Sequence, residues 1–106
     1  MSVLKSINPT TEELFAEFRE INLSSAEEII ARSSASQKKW LDVDIKKRSK
    51  IILEIGELVK ANKVSYAEII TNEMGKPITE AIAEIEKCAW LCEYYGENGS
   101  AFLADQ

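Results

Sequence analysis

Histidine is absent from this 106-residue chain, and glycine and proline are scarce, with four and two residues. Without histidine there is no Ser-His-Asp triad, no histidine general base and no zinc site built on imidazole. A β-sandwich or a small barrel needs many turn residues, so the scarcity of glycine and proline favours helices. Uninterrupted aliphatic stretches such as residues 51–53 fall far short of the roughly 20 residues that cross a bilayer.

Negative charge exceeds positive charge, since the chain has 13 Lys and Arg residues and 18 Asp and Glu residues, which gives a net charge of −5. This balance argues against a nucleic-acid partner and against binding to an acidic membrane surface. The first residues lack the apolar core of a signal peptide, and two cysteines without an export signal predict reduced thiols in the cytoplasm. The length suits a single domain over residues 1–106.

The first twenty residues differ from the rest of the chain. Residues 3–7 and 14–18 read as two short strands, and Asn8-Pro9-Thr10-Thr11 supplies turn chemistry between them. We therefore expect a β-hairpin over about residues 3–20. Because an isolated hairpin is marginal in water, it should lean on the helices or on another chain.

Apolar residues then recur at helical spacing in four stretches. Ser24 or Ser25 can cap a first helix over about 25–41, and Asp44 a second over about 44–62. A third helix covers about 63–74, where Gly75 suits a left-handed cap. The fourth runs from about 77 to 95 or on through Asn98. The predicted fold class is mainly α, with about four helices within residues 25–98 and a short N-terminal β-hairpin.

Cys88 and Cys92 lie four residues apart and share a helix face. A metal site would need further ligands, and a disulfide within a regular helix is disfavoured by the directions of the two Cβ atoms. Lys87 would favour a reactive thiolate, whereas Glu86 and Glu93 oppose it. We interpret both cysteines as structural core residues, with a reactive thiol and a metal ligand as the alternatives.

Two further sets of residues suggest chemistry. Acid–base chemistry is suggested by the carboxylates Glu80, Glu84, Glu86, Glu93 and Glu97, but a solvated helix face is the preferred interpretation for Glu80 and Glu84, which lie four residues apart. Gly75-Lys76 resembles the end of a phosphate-binding loop, but position 70 is Ile and position 77 is Pro, where that loop needs Gly and Ser or Thr. A turn between helices is the preferred interpretation.

The basic run from 38 to 50 and a set of aromatic residues complete the candidates. The run is interpreted as a solvated face, with a phosphate or an acidic partner as the alternative, and its members 46–48 and 50 are placed outside the apolar stripe of helix two. Packing anchors are preferred over a stacking platform for Trp40, Trp90, Tyr94 and Tyr95. We assign no catalytic, cofactor-binding or metal-binding residue within the chain.

Short motifs nevertheless follow one another in a specific order. They are Glu73-Met74-Gly75-Lys76-Pro77, Glu80-Ala81, Glu84, Glu86-Lys87-Cys88-Ala89-Trp90, Cys92 and Tyr94-Tyr95, preceded by Asn8-Pro9-Thr10-Thr11, Trp40 and Arg48. Together they resemble the N-terminal region of NAD(P)-dependent aldehyde dehydrogenases, nearest to the succinate-semialdehyde branch. The resemblance covers essentially the whole chain, although members of this family are several times longer.

Two departures from the family stand out. Glu12 takes the place of a usual Gly after the Asn-Pro-x-Thr turn, and only Gly adopts a positive φ freely, so the tight hairpin is put in question. The family's nucleophilic cysteine, its general-base glutamate and its Rossmann-like strands also have no counterpart here. The resemblance therefore implies a parent that uses NAD or NADP, and a chain that carries neither coenzyme by itself.

The resemblance implies a truncated aldehyde dehydrogenase, inactive alone, whose parent oxidises an aldehyde such as succinate semialdehyde to the acid. In the complete enzyme, Glu84, Lys87 and Leu91 are expected to border the aldehyde access tunnel, with packing or exposure as the alternative. The truncation should leave apolar faces exposed on the hairpin and on helices two and four. Two alternatives are a self-associating helical module, as a homo-oligomer, and one part of a split enzyme that another polypeptide completes.

Overall fold

A computed structural model describes residues 2–105 and contains two strands and four helices. The elements, in chain order, are β1 Val3–Ile7, β2 Leu14–Arg19, α1 Leu23–Leu41, α2 Ile45–Ala61, α3 Lys63–Met74 and α4 Ile78–Phe102. The prediction of a mainly α fold with four helices and an N-terminal hairpin is confirmed.

The β1–β2 hairpin forms in spite of the residue at position 12. The strands pair antiparallel, and the register shifts by one residue between Ser6 and Ile7. In the turn, Asn8 Oδ1 accepts hydrogen bonds from the backbone N–H groups of Thr10 and Thr11, at 2.8 and 3.2 Å. Glu12 has a φ of 63°, in the left-handed region that the usual Gly would occupy without strain. The turn geometry is therefore retained with a residue that fits it poorly.

The helix ends differ in part from the predictions. The first helix is capped by Asn22, whose side chain accepts from Ser25 N at 2.8 Å, so the predicted caps Ser24 and Ser25 are wrong. Asn is as good an N-cap as Ser, and it starts the helix two residues earlier. Asp44 does occupy the cap position of α2, but its side chain makes no capping hydrogen bond.

The C-terminal ends show one confirmed prediction and one correction. Gly75 closes α3 in the left-handed conformation with a φ of 74°, as predicted. A Cβ built on it would lie 2.9 Å from Pro9 Cγ, so the hairpin turn rests against the α3–α4 corner. The fourth helix continues to Phe102, beyond the predicted limit at Asn98. Gly96 does not end it, because this glycine is buried against Leu53 of α2.

The centre of the molecule is the crossing of α2 and α4, with α3 packed beside α4. Small residues allow this close approach: a Cβ built on Gly56 of α2 would lie 2.9 Å from Cys92 Cβ of α4. The buried apolar residues of the described chain are all alanines, namely Ala67, Ala81 and Ala89. No large side chain among residues 2–105 is fully buried. The helices thus approach most closely at small residues, with Leu53 against Gly96, and many of their large side chains stay exposed.

Large apolar side chains are exposed on the hairpin and on every helix, including Phe18, Leu58 and Trp90, at 56%, 61% and 73% of their surface. On α1, all residues except Ser25 and Ala26 are exposed. The radius of gyration is 18.1 Å, against about 13 Å for a compact domain of this length. The expected exposed faces of the hairpin, α2 and α4 are therefore present. Within residues 2–105, no helix combines the length and the apolar character needed to cross a membrane.

Candidate functional site

A shallow groove of about 700 Å³ runs along the outer side of α4 and is called the α4 groove below. Its lining residues are Lys76, Glu80, Ala83, Glu84, Lys87, Cys88 and Leu91. They come together because positions three, four and seven apart share one face of a helix. The structure thus brings Glu84, Lys87 and Leu91 together, the three residues that the resemblance places at an access tunnel.

Three ion pairs order the charges along α4, and one of them, between Lys76 and Glu84, lies in the α4 groove. Lys60 and Lys63 each lie 3.1 Å from a carboxylate oxygen of α4, on Glu93 and Glu86. Lys76 pairs with the carboxylate of Glu84. Its hydrogen bond to Glu84, together with the charge of that carboxylate, raises the pKa of Lys76 above its usual value. Exposed pairs of this kind contribute little stability but fix side-chain positions.

Lys87 differs from these lysines. It lines the α4 groove, and within residues 2–105 it takes part in no ion pair. On its other side lie Trp90, Leu91 and Tyr94, which form a second apolar depression with it. These three are 73%, 56% and 51% exposed. The outer face of α4 therefore offers one unpaired ammonium group beside an apolar wall.

The carboxylates of this face do not form an acid–base pair. Glu84 is held by Lys76, and the more distant charge of Glu80 contributes to the raised pKa of Lys76. Both glutamates are exposed, as the interpretation of a solvated face requires.

The cysteines are not both core residues, so that expectation is corrected. Cys88 is exposed on the α4 groove, because it faces away from α2, whereas Cys92 is half-buried against Gly56. Both thiols are free, and residues 2–105 contain no cluster of three potential metal ligands.

The remaining candidates from the sequence are a glycine-lysine pair and four aromatic residues, and the structure shows where each lies. Gly75-Lys76 forms the turn between α3 and α4, as preferred over a phosphate-binding loop. Of the four aromatic residues predicted to be packing anchors, the two tyrosines contact other rings and the two tryptophans stay exposed. Tyr94 and Tyr95 pack edge to face, with ring centroids 5.2 Å apart, and Tyr95 also meets Phe102. Trp40 and Trp90 remain 40% and 73% exposed.

One residue of interest was missed by the sequence analysis. Arg48 does not fall outside the apolar stripe of α2, as predicted, but lies half-buried on the same face as Ile45 and Ile52. The signal was available, because positions 45, 48 and 52 follow the i, i+3, i+7 rule. It lines a groove of about 320 Å³, called the Arg48 groove below, with Trp40, Ile45, Ser49, Ile52, Tyr95, Gly99, Phe102 and Leu103.

The sheet of the described residues decides whether they can hold a dinucleotide coenzyme. The sheet is one antiparallel hairpin, whereas a dinucleotide site needs parallel strands that lead into helices. The residues present therefore do not fit NAD or NADP. What the two grooves supply is a pair of surfaces with apolar walls and one unpaired cationic side chain each.

This architecture is that of one enzyme family. The sequence profile of the aldehyde dehydrogenase family matches residues 2–106, and the chain belongs to this family. Solved structures agree: an aldehyde dehydrogenase from Brucella melitensis biovar abortus 2308 superimposes with a TM-score of 0.92 at 26% identity, over 98% of this chain and 22% of that one.

Among individual relatives, the succinate-semialdehyde branch is prominent. The NAD(P)+ succinate semialdehyde dehydrogenase Sad of Escherichia coli strain K12 is 36% identical over 98 residues, which are 92% of this chain and 21% of the relative. The succinic semialdehyde dehydrogenase of Streptococcus pyogenes, solved in complex with NADP+, gives a TM-score of 0.88 at 29% identity over 94% of this chain and 22% of that one. The predicted resemblance is thereby confirmed. The chain spans about a fifth of the length of these relatives.

Proposed function

We propose that this chain acts as the N-terminal structural segment of a succinate-semialdehyde-type aldehyde dehydrogenase and is catalytically inactive by itself. The complete enzyme would oxidise succinate semialdehyde to the acid with NAD or NADP as hydride acceptor. The nucleophile, the general base and the coenzyme site would all be supplied by polypeptide outside the matched fifth. Its free thiols suit a cytoplasmic setting.

The observation that carries this proposal is that the chain has a well-defined family backbone but buries very few apolar side chains. The chain has the backbone arrangement of the part of its solved relatives that it matches, with a TM-score of 0.92 over 22% of one of them. Its buried apolar residues within the described part are nevertheless only three alanines. Exposed apolar faces on this scale support an interface, and in this proposal the rest of the enzyme covers it.

A chimera tests the proposal. The 98-residue matched region of the Escherichia coli relative is replaced by the matching residues of this chain. We expect the chimera to fold and to oxidise succinate semialdehyde, measured as NAD(P)H absorbance, whereas the free 106-residue chain produces none.

Two controls make the result decisive. The parent enzyme sets the reference rate, and the parent without its matched region shows what the segment contributes. A chimera that stays unfolded or inactive while the parent is active would contradict the proposed function. Supplying the same two pieces as separate polypeptides asks further whether the enzyme can work in split form.

The exposure of the same faces also favours a second candidate, in which copies of the chain cover one another as a homo-oligomer. Light scattering after size exclusion, at several protein concentrations, measures this directly. A stable dimer or tetramer supports the self-associating module, and a monomer at every concentration contradicts it.

A further inference from the structure

The Arg48 groove contains a polar atom without a partner. The Nε–H of Arg48 is buried, and no acceptor within residues 2–105 receives it. A buried donor that is left unsatisfied costs free energy, and a charged donor costs more. An unsatisfied buried donor of this kind requires an explanation, and it marks Arg48 as a residue that the described chain leaves incompletely bonded.

The charge of Arg48 is also uncompensated. In the described part of the chain, the ion pairs within 4 Å all involve lysines, and none includes this guanidinium. Because a guanidinium binds a carboxylate through two parallel hydrogen bonds, a carboxylate is the acceptor that fits it best.

The side chains around Arg48 indicate what kind of group fits the groove beside the carboxylate. Ile45 and Ile52 of α2 form one wall, and Tyr95, Phe102 and Leu103 at the end of α4 form the other. The rings of Tyr95 and Phe102 pack against each other, with centroids 6.5 Å apart, so this wall is partly organised in advance. An apolar side chain fits between these walls, next to the guanidinium.

We propose that the Arg48 groove docks a segment from the larger part of an aldehyde dehydrogenase, with an apolar side chain between the walls and an adjacent Asp or Glu on Arg48. This inference rests on the proposed function, since about four fifths of the Escherichia coli relative lies outside the matched region and supplies the segment. Arg48 thereby joins the start of α2 and the end of α4 to the body of the enzyme.

The test uses the chimera described above, with a photoreactive benzoylphenylalanine in place of Phe102. After irradiation, the cross-linked peptide is identified by mass spectrometry. We expect a peptide from the enzyme body in which Asp or Glu stands beside an apolar residue. The same photoreactive residue in place of Tyr66, on α3 and outside the groove, serves as the control and should not label that peptide.

Arg48→Gln is then compared with Lys46→Gln in the unlabelled chimera. Both changes remove one positive charge from the start of α2, but Lys46 is exposed and lies outside the groove. Loss of a buried charged hydrogen bond should lower the Tm by about 3 °C or more for Arg48→Gln, with little change for Lys46→Gln. Arg48→Lys keeps the charge without the Nε–H and should fall between them.

The outcomes separate the inference from the proposed function. An active chimera in which Arg48→Gln behaves like Lys46→Gln overturns the inference alone. A cross-linked peptide without a carboxylate, or one from residues 2–105 of a second copy, does the same. A chimera that does not fold or has no activity overturns the proposed function, and the inference falls with it.

Discussion

Glu12 is the residue whose conformation is least suited to its side chain. Its φ of 63° lies in the left-handed region, which costs a residue with a Cβ roughly 1–2 kcal/mol. The turn persists because Asn8 Oδ1 and Asn8 O hold three successive N–H groups, those of residues 10, 11 and 12.

Replacing Glu12 by Gly should therefore stabilise the chain. We expect a gain of about 0.5–1 kcal/mol in the free energy of unfolding, since the relief of strain exceeds the extra freedom of Gly in the unfolded chain. Urea unfolding followed by circular dichroism measures it. Glu12→Ala is the matched control, because it removes the charge and keeps the strain. An equal gain in both variants would mean that the charge, and not the backbone, is responsible.

At the scale of elements, the α2–α4 crossing depends on glycines at the contact. A Cβ on Gly56 would lie 2.9 Å from Cys92 Cβ and 3.3 Å from the carbonyl oxygen of Ala89, neither of which moves without the helix. A Cβ built on Gly99, also in α4, would meet no atom of the neighbouring elements within 4 Å. The two positions separate packing from helix propensity.

Gly56→Ala should destabilise the chain by about 1–3 kcal/mol, because overpacking outweighs the better helix propensity of Ala. Gly99→Ala should stabilise it by about 0.5–1 kcal/mol through propensity alone. Thermal unfolding of both variants checks the pair. If Gly56→Ala proved as stable as Gly99→Ala, the helices would not approach as closely as described.

Most of the strands and helices could be predicted from the sequence, because residues close together in the chain determine where they begin and end. The strands, α3 and the Gly75 cap follow from turn residues and apolar spacing. The end of α4 was not accessible in this way, since Gly96 reads as a breaker until the contact with Leu53 is known. Arg48 was placed on the wrong side of α2 because its charge was given more weight than its spacing. The burial of its Nε depends on α4, which no local pattern reveals.

At the scale of the whole molecule, stability is divided unevenly. The buried alanines and glycines lie on α2, α3 and α4, whereas α1 has only two residues that are even partly shielded. Helices shorter than about 12–15 residues are marginal in water and longer ones gain most of their stability from packing. The 19 residues of α1 receive almost none.

Amide hydrogen exchange should therefore be faster in α1 than in the middle of α2 and α4. We expect protection factors in α1 to be lower by about tenfold or more, since its opening does not require the crossing to separate. Exchange followed by peptide-level mass spectrometry resolves the three helices. Uniform protection along all of them would indicate that α1 is held by contacts made in solution, as in an oligomer.

The length of α4 has a consequence for how the two grooves are related. Lys87 and Phe102 stand 15 positions apart on one uninterrupted helix, which corresponds to about 22 Å of rise. The helix thus fixes both the distance between the two grooves and their relative rotation about its axis. One residue inserted between them would advance the distal groove by only about 1.5 Å but would turn it by about 100°. The α4 groove and the Arg48 groove therefore keep their relative orientation only while the number of residues between them stays the same.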